Sequence, residues 1–133
     1  MALQIIRHPE AFSLDSRTRQ KQPRKHAAAH LAFIRDLPCL VTGKRPVEAA
    51  HVRYADPQRF KRAVGGAEKP DDKWAVPLSP AEHRKQHTMD EQEYWAATGI
   101  DPIAVALLLW AHSGNEETAE KIIEQARGAS HDQ

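Results

Sequence analysis

Two pairs of histidines in this 133-residue chain have the spacing of metal ligands on a helix. His83 and His87 are four residues apart, so on a helix both imidazoles project from one face and can reach one metal ion. Solvated histidines on helices are common, so the spacing alone is weak evidence for a metal site. His26 and His30 share the spacing but have no strand or turn pattern around them, and we interpret that pair as a surface feature.

His51 is a candidate of a different kind, because it ends a predicted strand and is followed by a long basic loop. The imidazole of histidine titrates near neutral pH. A histidine at a strand end that faces a phosphate-binding surface can therefore act as a general base. When His51 is considered alone, the alternative interpretation is an ordinary core or surface histidine with no catalytic role.

The elements that must position these histidines are three predicted extended segments and one predicted helix. Residues 39–42 and 47–52 are predicted to form a hairpin, joined by a turn that contains glycine and proline, and residues 74–78 form a third extended segment. The histidine-bearing helix begins at Ser79, which is followed by proline and, at the third helical position, by Glu82, as in a capping box.

Further helices are predicted on both sides of this unit. Residues 24–37 are rich in helix formers and are stopped by Pro38, which lacks an amide donor. After the histidine-bearing helix, capping signals and apolar spacing predict three more helices, starting near Thr88, Asp101 and Asn115, the last ending at Gly128. Three tryptophans, Trp74, Trp95 and Trp110, lie among apolar neighbours and are expected to anchor the core.

Composition favours a soluble globular domain, with 41% hydrophobic and 28% charged residues. The longest apolar run, residues 103–111, is too short for a membrane span, and the N-terminal sequence lacks the pattern of a secretory signal. The single cysteine, Cys39, excludes a disulfide within the chain. We therefore expect a cytoplasmic protein with no membrane partner.

The net charge of +1 conceals two segments of opposite sign. Residues 1–87 carry 17 Lys and Arg against 9 Asp and Glu, whereas residues 88–133 carry 2 against 9. A basic body of this kind suits a polyanionic partner such as DNA, because lysine and arginine release counterions from phosphates. A mixed-charge solvated surface is the alternative.

In their order along the chain, these features resemble the HNH, or ββα-metal (His-Me finger), endonucleases. The resemblance lies in PCLVTG, PVEAAHVRYADP and GGAEKPDDKWAVPLSPAEHRKQH, and it is closest to HNH-type domains encoded by bacteria and prophages. It implies an α+β fold in which a ββα-metal core at about residues 38–88 has one helix before it and about three after it. Residues 1–22 are expected to form a flexible basic N-terminal arm, and 23–133 a single domain whose helical tail is 89–128.

The resemblance also implies a function, the hydrolysis of DNA phosphodiester bonds by an endonuclease or nickase with one divalent ion (Mg, Mn, Ni or Zn). His51 matches the general base of the family, and His83 and His87 match its metal ligands. Lys73 is near the position of a central asparagine that braces the base-bearing loop, and a lysine there can contact phosphate instead.

Two departures from the family's pattern concern metal ligands. Ala50 occupies the position before the base, where relatives usually carry an aspartate or histidine ligand. The remaining coordination positions would then be left to water, to substrate, or to a carboxylate such as Glu48, Asp56 or Asp72. Many relatives hold a structural zinc on two cysteine knuckles, and the matching positions here are Cys39, Thr42, Ser79 and Glu82. With one thiolate left, we expect no structural zinc.

Cations near the predicted site are expected to contact DNA phosphates without reading the sequence. The candidates are Arg53, Arg59, Lys61, Arg62, Lys69 and Lys85. Two other functions stay open. The chain could be a nucleic-acid-binding module that has lost catalysis, which Ala50 and the missing cysteines favour, or a helical interaction domain that docks a partner through its acidic tail. The oligomeric state is not predicted.

Overall fold

Five helices and two short strands make up the described part of the chain, residues 27–62 and 71–131 of a computed structural model. The helices and strands are α1 (residues 27–35), β1 (Glu48–His51), β2 (Ala75–Leu78), α2 (Pro80–Thr88), α3 (Glu91–Thr98), α4 (Pro102–Ala111) and α5 (Glu116–His131), with single 3-10 turns at Pro57–Arg59 and Asp72–Trp74. The predicted α+β class is confirmed, with one helix before the strands and three helices after α2. The predicted N-terminal arm lies outside the described residues.

The sheet consists of β1 paired with β2 in antiparallel register, from Glu48 opposite Leu78 to His51 opposite Ala75. All four residues of β2 are buried, which is expected of a strand covered on both faces. One residue, Ser79, separates β2 from α2, so the chain runs strand, strand, helix.

The predicted hairpin between residues 39–42 and 47–52 is wrong. Residues 39–44 instead form a closed turn, in which the Cys39 amide donates to the Lys44 carbonyl and the Gly43 amide donates to the Cys39 carbonyl. Gly43 has φ +76°, a conformation that suits glycine. The turn contacts the free edge of β2 through one hydrogen bond, from the Leu40 amide to the Pro77 carbonyl. A ladder cannot continue along this edge, because Pro77 has no amide to donate.

The helix starts follow the predicted capping signals closely. Ser79 accepts a hydrogen bond from the amide of Glu82, and Asp101 accepts from two amides in the first turn of α4. Asp90, two residues beyond the predicted start, caps α3. Glu82 does not close the predicted capping box, since its carboxylate accepts from the hydroxyl of Tyr94 at 2.7 Å and thereby joins α2 to α3.

The core lies where the sheet meets α1, α4 and α5, and includes Ile34, Leu109 and Ile123. Trp74 and Trp95 are buried as predicted, whereas Trp110 is half-buried. Among the described helices none is by itself long and apolar enough to cross a membrane; α3 and α4 meet that criterion only as a pair, bent by 84°.

The interpretation of His30 as a surface residue is wrong, since the side chain is 1% exposed. Packing of α1 against α4 encloses it, with the imidazole edge-on to the ring of Trp110 at 4.8 Å and Nδ1 2.8 Å from the Ser113 hydroxyl. Its neighbour in the predicted pair, His26, lies outside the described residues.

Candidate active site

His83 and His87 lie one turn apart on α2, with their Nε2 atoms 3.2 Å from each other. Two nitrogen ligands at the usual distance of about 2.0–2.1 Å from zinc would be about 2.8–3.4 Å apart for bond angles between a right angle and tetrahedral. The observed separation falls within that interval. The pair therefore fits a single metal ion held between the two nitrogens.

Glu48 on β1 contacts the other ring nitrogen of His83, with 2.7 Å between Glu48 Oε1 and His83 Nδ1. When the Nδ1 proton is donated to this carboxylate, the lone pair of His83 is on Nε2, the atom that faces His87. Glu48 was predicted as a metal ligand. The structure gives it a different contact, behind the imidazole, where a carboxylate fixes the tautomer and orientation of a metal-binding histidine.

His51, the last residue of β1, forms a second carboxylate–imidazole pair. Its Nε2 is 2.8 Å from Asp72 Oδ1, and both side chains are partly exposed, at 25% and 30%. A proton on Nε2 donated to Asp72 leaves Nδ1 with the lone pair, as a general base requires. Asp72 was predicted as a metal ligand, and its contact is with His51 instead.

Gln86 and Glu91, which the sequence did not single out, connect His51 to α2 and α3. Gln86 is 5% exposed and donates from Nε2 to the His51 carbonyl at 3.3 Å and to Glu91 Oε2 at 2.9 Å. The carboxylate of Glu91 also accepts from the Arg53 amide at 3.0 Å. The strand end that carries His51 is thus fixed to the helix that carries His83 and His87. Nothing in the sequence distinguishes Gln86 from a solvent-facing helix residue.

Lys73 lies in the same 3-10 turn as Asp72, with its ammonium 4.8 Å from the ring centre of Trp74. The side chain that bonds to His51 is therefore Asp72, and Lys73 packs over an aromatic ring beside it. Within the described ranges, no group of three or more His, Cys, Asp or Glu side chains is arranged to hold a metal ion. His83 and His87 are thus a pair of neighbouring imidazoles to which these ranges add no third side chain of this kind in a metal-holding arrangement.

Two of the predicted phosphate contacts have partners within the protein. Arg59 bonds to Asp56 at 2.6 Å and to Asp101 at 2.8 Å, and these contacts, with Asp101 foremost, raise the pKa of Arg59. Asp56, predicted as a metal ligand, is therefore paired with Arg59. Lys61 is 2% exposed and donates to the Tyr54 carbonyl at 2.6 Å, and burial lowers its pKa. That burial removes Lys61 from the exposed cations available to a phosphate.

The other predicted cations differ in accessibility. The side chain of Lys85 is 66% exposed and 3.9 Å from Glu82, and Arg62 is exposed. Arg53 is partly exposed, at the end of β1. Lys69 lies outside the described residues.

The four positions that match the zinc knuckles of the resembled family lie together in the fold. The sulfur of Cys39 accepts from the amides of Thr42 at 3.4 Å and Ser79 at 3.3 Å. Burial acts to raise the pKa of Cys39, but these bonds, with others from the Thr42 hydroxyl and the Val41 amide, outweigh it and lower the pKa. Hydrogen bonds to one sulfur therefore join the turn at 39–44 to the start of α2.

In comparisons with protein-family models, curated proteins and solved structures, no significant match to this chain was found. The assignment to the HNH endonucleases accordingly stays a prediction, which rests on the sequence motifs and on the geometry around His51, His83 and His87.

Proposed function

We propose that this protein is a metal-dependent DNA endonuclease or nickase that hydrolyses phosphodiester bonds. The proposal is carried by one arrangement: two histidine Nε2 atoms 3.2 Å apart on α2, beside a strand-end histidine held by a carboxylate. Phosphodiester hydrolysis needs a base to take a proton from water and positive charge to stabilise the phosphate in the transition state. His51 suits the first requirement, and His83 with His87 suits the second.

In this proposal His51 activates the attacking water. Its Nδ1 takes a proton from a water molecule, the water oxygen attacks phosphorus, and the bond from phosphorus to the departing 3′ oxygen breaks. The proton is held on His51 as an imidazolium, which the carboxylate of Asp72 stabilises through the 2.8 Å bond, and is then released to solvent. The departing 3′ oxygen takes a proton from solvent water. Asp72 is thus a positioning residue for the base.

His83 and His87 would hold the divalent ion, and Glu48 would keep the proton of His83 on Nδ1 so that Nε2 is free to bind. When bound there, the ion supplies positive charge to the scissile phosphate and the departing oxygen. Two imidazole ligands favour Ni or Zn over Mg, which prefers oxygen ligands. A pair of protein ligands also leaves positions open for phosphate oxygens and water, as catalytic sites require.

A catalytically inactive nucleic-acid-binding module is the second candidate. It is favoured by Ala50 at the usual ligand position and by the lack of a three-residue ligand group in the described ranges. Both candidates predict salt-dependent DNA binding, so binding alone does not distinguish them.

Nicking of supercoiled plasmid separates the two candidates. Wild type, His51→Ala and His83→Ala would be compared in Mg²⁺, Mn²⁺, Ni²⁺ and Zn²⁺, with His112→Ala as the matched control, since His112 is an exposed histidine at the end of α4. We expect His51→Ala to lower the nicking rate by a factor of about 10²–10⁴, the usual contribution of a general base. His83→Ala should lose metal-dependent nicking, and His112→Ala should match wild type.

One result would contradict the enzyme, and another would contradict the role of His51. Equal inertness of wild type and His51→Ala, with retained DNA binding, would favour the inactive module. Equal nicking by wild type and His51→Ala would show that His51 is not the base.

A further inference from the structure

The side chain of Phe60 is exposed to solvent, and its backbone conformation is unusual. Its side chain is 90% exposed, whereas the other exposed large hydrophobic residues of the described chain, Met89 and Leu108, are 41% and 48% exposed. Its backbone has φ 61° and ψ 32°, the left-handed region. Bulky residues rarely adopt this region, and strain of this kind is concentrated at functional sites.

The turn that carries Phe60 is rigidly closed at its base. Asp56 and Lys61 exchange two backbone hydrogen bonds, of 2.8 and 3.0 Å, on either side of the 3-10 turn Pro57–Arg59. The guanidinium of Arg59 bonds to Asp56 within the turn and to Asp101 at the start of α4. These hydrogen bonds and ion pairs of the turn at 56–61 therefore keep Phe60 in its exposed position.

This turn is attached to the candidate active site. The ammonium of Lys61 lies 5.7 Å from the ring centre of Trp74, which ends the 3-10 turn containing Asp72, the partner of His51. The turn also begins five residues after His51, a span of at most about 18 Å of extended chain. The Phe60 turn is therefore anchored on the same segment, Asp72–Trp74, that supplies the partner of His51.

The charge around Phe60 favours a nucleic acid over a protein partner. Residues 53–62 carry four Lys and Arg against one Asp. Lys61 is buried and Arg59 is paired with Asp56 and Asp101, so the basic side chains at the surface of this segment are those of Arg53 and Arg62. A protein interface needs on the order of 800 Å² from each partner, far more than one side chain. An aromatic ring on a basic segment is the chemistry that contacts nucleobases, by stacking or by insertion between base steps.

We propose that Phe60 stacks on a nucleobase of DNA bound at the candidate active site, so that the protein contacts bases as well as phosphates. This inference rests on the proposed function. It adds a base-contacting residue to it, at a position outside the motifs that resemble the HNH endonucleases.

The test exploits the left-handed backbone. Asparagine tolerates this conformation better than phenylalanine does, so Phe60→Asn removes the ring and relieves strain at once. We expect Phe60→Asn to raise the melting temperature while it weakens DNA binding by a factor of about 5–150, the range for loss of one stacked base. Because the two effects have opposite signs, loss of folding cannot explain weaker binding. Phe60→Trp, which keeps an aromatic face, should bind within about threefold of wild type.

Binding would be measured without divalent ions, so that no cleavage occurs, on a short duplex and a single strand that contain 2-aminopurine. A stacked ring quenches or shifts the fluorescence of this base. Phe60→Asn should reduce that change yet leave the slope of log Kd against log salt unchanged, since phenylalanine releases no counterions. Lys85→Gln is the matched comparison, and should lower the slope by about one if Lys85 contacts a phosphate.

The outcomes separate this inference from the function on which it rests. If wild type binds and nicks DNA but Phe60→Asn has the same Kd and the same 2-aminopurine response, the stacking role is wrong and the nuclease stands. If wild type binds neither probe, the proposed function fails and the stacking role fails with it.

Discussion

Replacing Asp72 with asparagine tests whether this carboxylate positions the base. Asparagine has nearly the same shape, but its amide can donate to His51 Nε2, which the aspartate cannot do. Nδ1 of His51 would then carry the proton and lose the lone pair that takes a proton from water. The bond lost is a hydrogen bond of 2.8 Å to a charged group, worth about 1.5–3 kcal/mol. The nicking rate of Asp72→Asn should accordingly fall by a factor of about 10–150.

The assay is single-turnover plasmid nicking at saturating metal, so that the rate reports chemistry and not metal affinity. Asp71→Asn is the matched control, since Asp71 is the adjacent exposed aspartate and its side chain makes no capping bond. Nitrogen NMR of the His51 ring adds a readout that general destabilisation would not change. Asp72→Asn should shift the proton from Nε2 to Nδ1. A nicking rate within about twofold of wild type, with an unchanged tautomer, would refute the positioning role.

Three further predictions concern other contacts. Glu48→Gln should raise the metal concentration for half-maximal nicking by a factor of about 10–100 and leave the saturated rate unchanged; an unchanged metal titration would contradict this. Burial lowers the pKa of His30, and the Asp72 carboxylate opposes this in part. The unfolded chain therefore binds more protons as pH falls, so the free energy of unfolding should decrease below about pH 6.5, by at most about 1.4 kcal/mol per pH unit. His30→Gln should reduce the difference between the free energies of unfolding measured in urea at pH 7.5 and 5.5. The same difference in wild type and His30→Gln would contradict this prediction. Cys39→Ala should lower the free energy of unfolding by about 1–3 kcal/mol, because the partly buried amides of Thr42 and Ser79 lose their acceptor. An unchanged free energy of unfolding, measured by thermal and urea unfolding, would contradict this.

Features decided by a few adjacent residues were predictable from the sequence. The caps at Ser79, Asp101 and Asn115 are confirmed, because a cap depends on one side chain and amides two or three residues later. The predicted end of α5 at Gly128 is wrong, since the helix continues through this residue to His131. A glycine inside a helix costs only about 1 kcal/mol, which packing of the helix can offset.

Features that join distant segments were not predictable in this way. The strand 47–52 was assigned to a nearby partner, yet β1 pairs with β2 across more than twenty residues, and local propensity does not encode that choice. The two carboxylates Glu48 and Asp72 were recognised as part of the site but assigned as metal ligands. Their contacts with ring nitrogens follow from the tertiary arrangement alone.

The hydrogen bonds around Cys39 have a consequence for how this protein can change over time. A zinc site needs about four ligands, so loss of one commonly abolishes the whole site. Here the same positions are joined by separate bonds to a sulfur and a hydroxyl, each worth about 1 kcal/mol. The donors are backbone amides, so substitution of Thr42 or Glu82 leaves these bonds in place, and substitution of Ser79 removes only the bond to its hydroxyl. This corner of the fold can therefore accumulate mutations singly at those three positions, each with a small loss of stability, whereas Cys39, which accepts two of the bonds, is the position where substitution costs most.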